Sequence, residues 1–333
     1  MSMLRTIKPK NARVKRALAQ REPQIVENEK TAIFVRGQAT SDIVRNVMKD
    51  LYALKRPNAI NFSRKNDIHP FEDSSSLEFF ANKNDSSLFV TGLHSKKRPH
   101  NLVFSRMFDG RILDMLELGV DDFKSMDEFD SPKSSVGIRP LMVFHSDLFD
   151  VHPKYMSIKS MLLDFYNGHA LKEIPLIGGI EHVISITAGP LPSDIEVNGL
   201  GGGAEEDTKN LPKVHFRVYT LKLISSGVAK QPKIQLTEMG PSIDFKLRRI
   251  QDPDEELLKM SLKRPKLSKN NIESGLGKKK KNIETDQMGD KIGKLHLEKQ
   301  DLSKMQGRKM KGLKIKKTKT STSANDDIEI DEE

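Results

Sequence analysis

Three groups of cations in this 333-residue chain stand where the neighbouring sequence would hold them in place. Lys96, Lys97 and Arg98 fall in a polar stretch, 94–100, between two apolar runs; Arg64 and Lys65 fall in a second, 58–68; Arg139 precedes a proline that restrains its backbone. A guanidinium offers a planar fork to two phosphate oxygens and an ammonium offers a point charge, so the chemistry available is the grip of a polyanion. A basic head adds Lys8, Lys10, Arg13, Lys15 and Arg16, part of a series from Arg5 to Arg21 at intervals of one to five residues. Aromatic residues make up 6% of the chain and Trp is absent, which leaves few rings for stacked bases. Recognition of RNA by these side chains would lean on phosphates and shape.

Bond-making chemistry finds less support. The chain has no Cys, which excludes disulfides, Cys-ligated zinc and thiol catalysis. Its nine His include no His-Glu-x-x-His run and no carboxylates at ligand spacing, so packing and surface roles are expected of them. His182 and His215, in strand-like segments, read as hydrogen-bonded imidazoles. The glycines from Gly199 to Gly203 run into Glu205, Glu206 and Asp207, which would repel a phosphate. Gly275-Leu276-Gly277-Lys278 lacks the first Gly and the closing Ser or Thr of a phosphate loop, and no Gly-x-Ser-x-Gly elbow occurs. The expectation is a non-enzymatic binding protein with no cofactor and no metal.

Charge divides the chain. The formal total is +10, but residues 1–23 carry +6, residues 259–320 carry +14, and the last thirteen residues carry −6. The middle is mildly acidic, so the field that draws in a polyanion comes from the ends. No run approaches the roughly 20 apolar residues of a membrane helix, and the basic N-terminus lacks the apolar stretch of a secretory signal. A reducing, aqueous compartment and no membrane contact are expected; the Lys- and Arg-rich ends also suit nuclear import.

The elements that must position these cations read as a mixed α/β body. Pro9 and Pro23 bracket one short basic helix. Strands are predicted over 31–35, 87–92, 102–107, 141–144, 181–187, 214–223, 234–239 and 243–250. Ser41 caps a helix that carries Ile43, Val44, Val47, Met48, Leu51 and Leu54, and Ser75 with Glu78 forms a capping box for another. Further helices are predicted over 111–123, with Ile112, Leu113, Met115 and Leu116 inward, and from Pro153 to a stop at Gly168. Residues 58–68 and 94–100 read as loops, and the acidic Gly-rich stretch 190–210 as an insertion joining two paired strands. Segments 88–91 with 102–106 resemble 183–187 with 214–219, a hint of internal duplication. Beyond Asp252 the pattern decays, and Lys278–Lys281 and Lys309–Lys319 are too charged to fold alone, so 252–333 is expected to be a disordered tail with an acidic end.

Several longer runs resemble the Brix-domain family. They are Thr6-Ile7-Lys8-Pro9-Lys10-Asn11-Ala12-Arg13, Arg64-Lys65-Asn66-Asp67-Ile68-His69-Pro70-Phe71-Glu72-Asp73, Ser95-Lys96-Lys97-Arg98, Asp164-Phe165, Gly179-Ile180-Glu181-His182-Val183-Ile184-Ser185, Phe216-Arg217-Val218-Tyr219 and Glu238-Met239-Gly240-Pro241-Ser242-Ile243-Asp244-Phe245. The resemblance implies a Brix domain over 28–251, with an N-half over about 28–135 and a C-half over about 136–251. The halves would be pseudo-symmetric, each similar to the anticodon-binding domain of class II aminoacyl-tRNA synthetases, behind a basic arm over 1–27. It implies a nuclear and nucleolar ribosome biogenesis factor paired with the regulator of ribosome synthesis protein. That pair would bind 5S rRNA with ribosomal proteins of the L5 and L18 type, meet pre-rRNA and other assembly factors on the pre-60S particle, and support maturation of 27S pre-rRNA to 25S and 5.8S. The alternative is a protein-interaction scaffold that meets RNA only through its partners.

Overall fold

The computed structural model describes residues 8–21, 29–166, 174, 179–190, 211–227, 232–263, 282–285 and 291–293. The basic head forms helix α1 (Ala12–Arg21), opened by Asn11, whose side chain accepts the Val14 amide at 2.8 Å. The first half then runs β1 (Ala32–Gly37), α2 (Asp42–Lys55), β2 (Ala59–Asn66), α3 (Ser75–Asn84), β3 (Leu88–Leu93), β4 (Asn101–Phe108) and β5 (Arg111–Lys124). A single 3-10 turn at Met126–Glu128 follows. The second half runs β6 (Leu141–His145), α4 (Leu148–Val151), α5 (Pro153–Tyr166), β7 (His182–Ala188), β8 (Val214–Ser225), β9 (Pro232–Glu238) and β10 (Ser242–Gln251). Helix α6 (Glu255–Ser261) comes next, and β11 (Ile283–Thr285) pairs with β12 (Lys291–Gly293) outside the main sheet.

The main sheet has ten strands in the order β2-β1-β3-β4-β5-β10-β8-β7-β6, with β9 paired to β8. Outward from the antiparallel β5–β10 pair, each half presents an antiparallel trio and then a parallel strand: β5-β4-β3 with β1, and β10-β8-β7 with β6. The halves are thus related by a pseudo-twofold, and the duplicated segments seen in the sequence are the corresponding pairs β3–β4 and β7–β8. Helices α2 and α5 cover the same face. Val44, Val47, Met48 and Leu51, spaced at three and four along α2, share one buried cluster with Phe165 of α5, which meets Phe34 and Phe104 edge-on. Gly92 permits that close approach, because a Cβ there would stand 2.3 Å from Met48 Sδ. On the other face α3 lays Leu77 and Ala81 over Ile33, Val35, Phe89 and Met107.

Four sequence expectations are corrected. Residues 111–123 form the central strand β5, where residues 114–120 are all buried because pairing on both edges and cover on both faces erase the period of two. Residues 58–68 are largely the strand β2, parallel to β1, with Ile60 and Phe62 packed on the α3 side. Ser75 is the first residue of α3, not its cap: the Ser75 amide donates to Asp73 at 2.9 Å, and the residue before it, Ser74, makes no side-chain capping bond. Beyond Asp252, α6 extends the folded part and buries Leu257. Residues 191–210, the stop expected at Gly168 and the Lys-rich runs of the tail lie outside the described residues.

Candidate nucleic-acid interface

Parallel pairing of β2, β1 and β3 brings their carboxyl ends to one edge of the fold. Lys65, Arg36 and Gly92 lie in register, and the row continues through Leu102, Leu118 and Leu247 across six strands. Arg64 and Lys65, at the end of β2, and the β3–β4 loop that begins at His94 therefore project from the same end of the sheet. A turn holds that loop: the Ser95 amide donates to the Arg98 carbonyl at 3.1 Å, and the Arg98 amide donates to Ser95 Oγ at 3.1 Å. Lys96 and Lys97 are exposed at its tip, and Arg64 and Lys65 are exposed on their strand.

A network from the second half fixes the base of the loop. Between Leu247 and Ile250 the register of β10 against β5 slips by one residue, a bulge that lets Arg248 and Arg249 reach the same side. Arg248 donates to the Pro99 carbonyl at 2.7 Å and to Asn101 Oδ1 at 2.9 Å. Arg249 donates to Glu117 Oε2 at 2.5 Å, and its guanidinium lies 4.1 Å from the centre of the Phe71 ring. Glu117 is wholly buried, also accepts from Asn101, and lies 3.9 Å from Arg98 Nε. Of the three loop cations, Arg98 is therefore committed inward, and Lys96 with Lys97 are presented outward. His100 joins the same base. Its Nδ1 lies 2.8 Å from Ser41 Oγ, and burial, then the neighbouring His94 and Arg248, hold its proton affinity below the ordinary value.

The remaining predicted cations lie elsewhere. Arg139, just before β6, is half-hidden beside the segment that enters β1, 3.9 Å from Glu29. Lys8, Lys10, Arg13, Lys15 and Arg16 are exposed on or just before α1. Sequence reasoning missed Arg36, Arg248 and Arg249. The adjacent arginines inside an alternating strand were the available signal, since two like residues cannot share a face without a bulge. The imidazoles also divide: His215 Nδ1 lies 2.8 Å from Asp244 Oδ1 as expected, but neither ring nitrogen of the buried His182 has a partner, which corrects the sequence reading.

Comparison with known proteins finds relatives along most of the chain. A family model described as the Brix domain matches residues 37–249. A Schizosaccharomyces pombe protein named ribosome production factor 2 homolog is 45% identical over 331 residues, covering 99% of this chain and 98% of its own. The Homo sapiens protein of the same name is 42% identical over 289 residues, covering 87% of this chain and 85% of its own. A crystal structure of a probable ribosomal biogenesis protein from Aeropyrum pernix covers 68% of this chain and 98% of its own, at 13% identity and a TM-score of 0.35.

Proposed function

This chain belongs to the Brix-domain family and is a ribosome biogenesis factor, and we propose that it acts without catalysis, by binding structured RNA through the cations at the strand ends. The observation that carries the proposal is the shared end of β2 and β3, where Arg64, Lys65, Lys96 and Lys97 are exposed on a framework fixed by Arg248 and Glu117. Fixed cations suit a fixed phosphate geometry better than tail lysines do.

In this reading the chain works with the regulator of ribosome synthesis protein, takes hold of 5S rRNA and its ribosomal proteins of the L5 and L18 type, and delivers them to the pre-60S particle in the nucleolus. Maturation of 27S pre-rRNA to 25S and 5.8S follows from that delivery. Head and tail add non-specific attraction to neighbouring RNA. A scaffold role is favoured by a separate feature, the β8–β9 hairpin, where Leu223, Ile224, Ile234 and Leu236 are exposed. An apolar hairpin of that kind fits a protein partner.

The test is binding to 5S rRNA and to an unrelated structured RNA across a salt series, for the wild type and a variant with alanine at Arg64, Lys65, Lys96 and Lys97. The expected result is weaker binding and a shallower salt slope, by about 0.7–0.9 for each phosphate that the variant no longer neutralises. Wild-type affinity and slope in the variant would leave the scaffold reading, in which the partner pair forms but RNA contact passes through others.

A further inference from the structure

Arg36, near the end of β1, lies between Lys65 of β2 and Gly92 of β3, each in register with it. Ala32 and Phe34 face the cluster under α2, whereas Ile33 and Val35 face α3, and the alternation turns Arg36 to the α2 side. Lys65 owes its place beside Arg36 to an irregularity. Val35 pairs with Phe62, so regular pairing would set Ser63 opposite Arg36; the register shift between Val35 and Arg36 sets Lys65 there instead. The two cations therefore share a face on neighbouring strands, with their Cα atoms about 4.8 Å apart.

Like charges placed directly opposite each other destabilise a sheet. The acids close to this pair in sequence are committed elsewhere: Asp42, in the first turn of α2, lies 3.0 Å from Arg45, and Asp67 lies 3.4 Å from His69. Arg36 is half-buried, and among the described residues it makes no hydrogen bond or ion pair; its Nε is sealed from solvent. The inner part of the guanidinium is thus packed, and an anion meets it end-on, at the two Nη atoms. Lys65 is exposed beside it.

We propose that Arg36 and Lys65 form a clamp for one backbone phosphate of the bound RNA, in which the Arg36 fork fixes the position of that phosphate and makes Arg36 a determinant of which RNA the strand ends accept. The proposal rests on the reading of the strand ends as the RNA-binding face. An exposed lysine on a flexible stem follows a phosphate wherever it lies, but a planar fork with a packed stem accepts two oxygens in one geometry. A structured RNA that places a phosphate there gains the full contact, and one of another shape does not.

The test is binding of the full chain to 5S rRNA and to an unrelated structured RNA across a salt series, with five variants: Arg36→Ala, Lys65→Ala, their double, Arg36→Lys, and alanine at 64, 96 and 97 together. Arg36→Ala should bind 5S rRNA roughly tenfold more weakly, the scale of a lost charge-assisted hydrogen bond. Because both side chains hold one phosphate, the double variant should lose less than the two single losses combined, and its salt slope should fall by about 0.7–0.9 in all. Arg36→Lys keeps the charge and the slope but should narrow the preference for 5S rRNA; it also keeps the stem, and decides the matter if Arg36→Ala does not fold. Wild-type affinity in Arg36→Ala, strictly additive losses in the double variant, or an undiminished preference in Arg36→Lys overturns the clamp. The variant at 64, 96 and 97 separates this clamp from the wider surface. If it binds as wild type does while Arg36→Ala is weakened, the clamp stands and the wider surface falls; if it alone is weakened, the clamp falls and the surface stands. A wild type that binds neither RNA, or both alike, overturns the clamp as a determinant of choice.

Discussion

The guanidinium of Arg248 lies across the bare backbone of Gly119, so close that a Cβ on the glycine would stand 2.6 Å from it. Through that gap an arginine of the second half reaches over β5 to hold Pro99 and Asn101 of the first. Gly119→Ala should push the arginine aside and leave the backbone in place, because the guanidinium is the free end of a flexible side chain. Loss of its hydrogen bonds should cost roughly 1.5–3 kcal/mol. Amide exchange at 95–101 should quicken; unchanged protection there would show that Arg248 does not fix the loop.

Glu117 is a carboxylate with no exposure, held by Arg249 and Asn101. Removal of one member of a buried ionic network strands the others, so Glu117→Ala should lower stability in urea unfolding by about 3–5 kcal/mol. Glu117→Gln, which keeps the shape and an acceptor, should cost less. Equal losses for the two would count against the ionic account.

Gly92 faces α2, and a Cβ there would meet Met48 Sδ at 2.3 Å and Val44 Cγ1 at 2.8 Å. Gly92→Ala should therefore destabilise by about 1–3 kcal/mol through overpacking. Trimming Met48 in the same chain should make the glycine change less harmful than it is alone. A strictly additive double mutant would place the strain elsewhere.

Burial pushes the His182 imidazole down to about 4, with Glu181 opposing weakly. The folded state then binds fewer protons than the unfolded one between roughly pH 6.5, the ordinary value, and pH 4. Stability contributed by the neutral ring is present above that window and lost as the pH falls through it, by roughly 1.4 kcal/mol per unit at most. A His182→Leu variant should lose less stability over that interval. Parallel pH curves for the two proteins, from denaturant unfolding, would sink this assignment.

The sequence by itself determined the local elements and the sign of the ends. The three-and-four spacing of Val44, Val47, Met48 and Leu51 announced α2, the alternation from Val214 announced β8, and the repeated short segments announced the matching pairs β3–β4 and β7–β8. Such signals are carried by near neighbours in the chain, so no partner is needed to read them. Residues 111–123 were illegible because a strand buried on both faces has no solvent side to mark with polar residues. Residues 59–66 were illegible for the converse reason, since an edge strand may carry polar side chains freely. Only the tertiary structure decided which cations lie together. Parallel register brings Lys65 beside Arg36 and aims Lys96 and Lys97 from the same end, a bulge turns Arg248 and Arg249 to one side, and the seam between the halves carries Arg139 away to join Lys55 and Tyr166. Each of these depends on hydrogen bonds or packing between residues far apart in the chain, and the spacing of residues along a strand or helix contains no record of them.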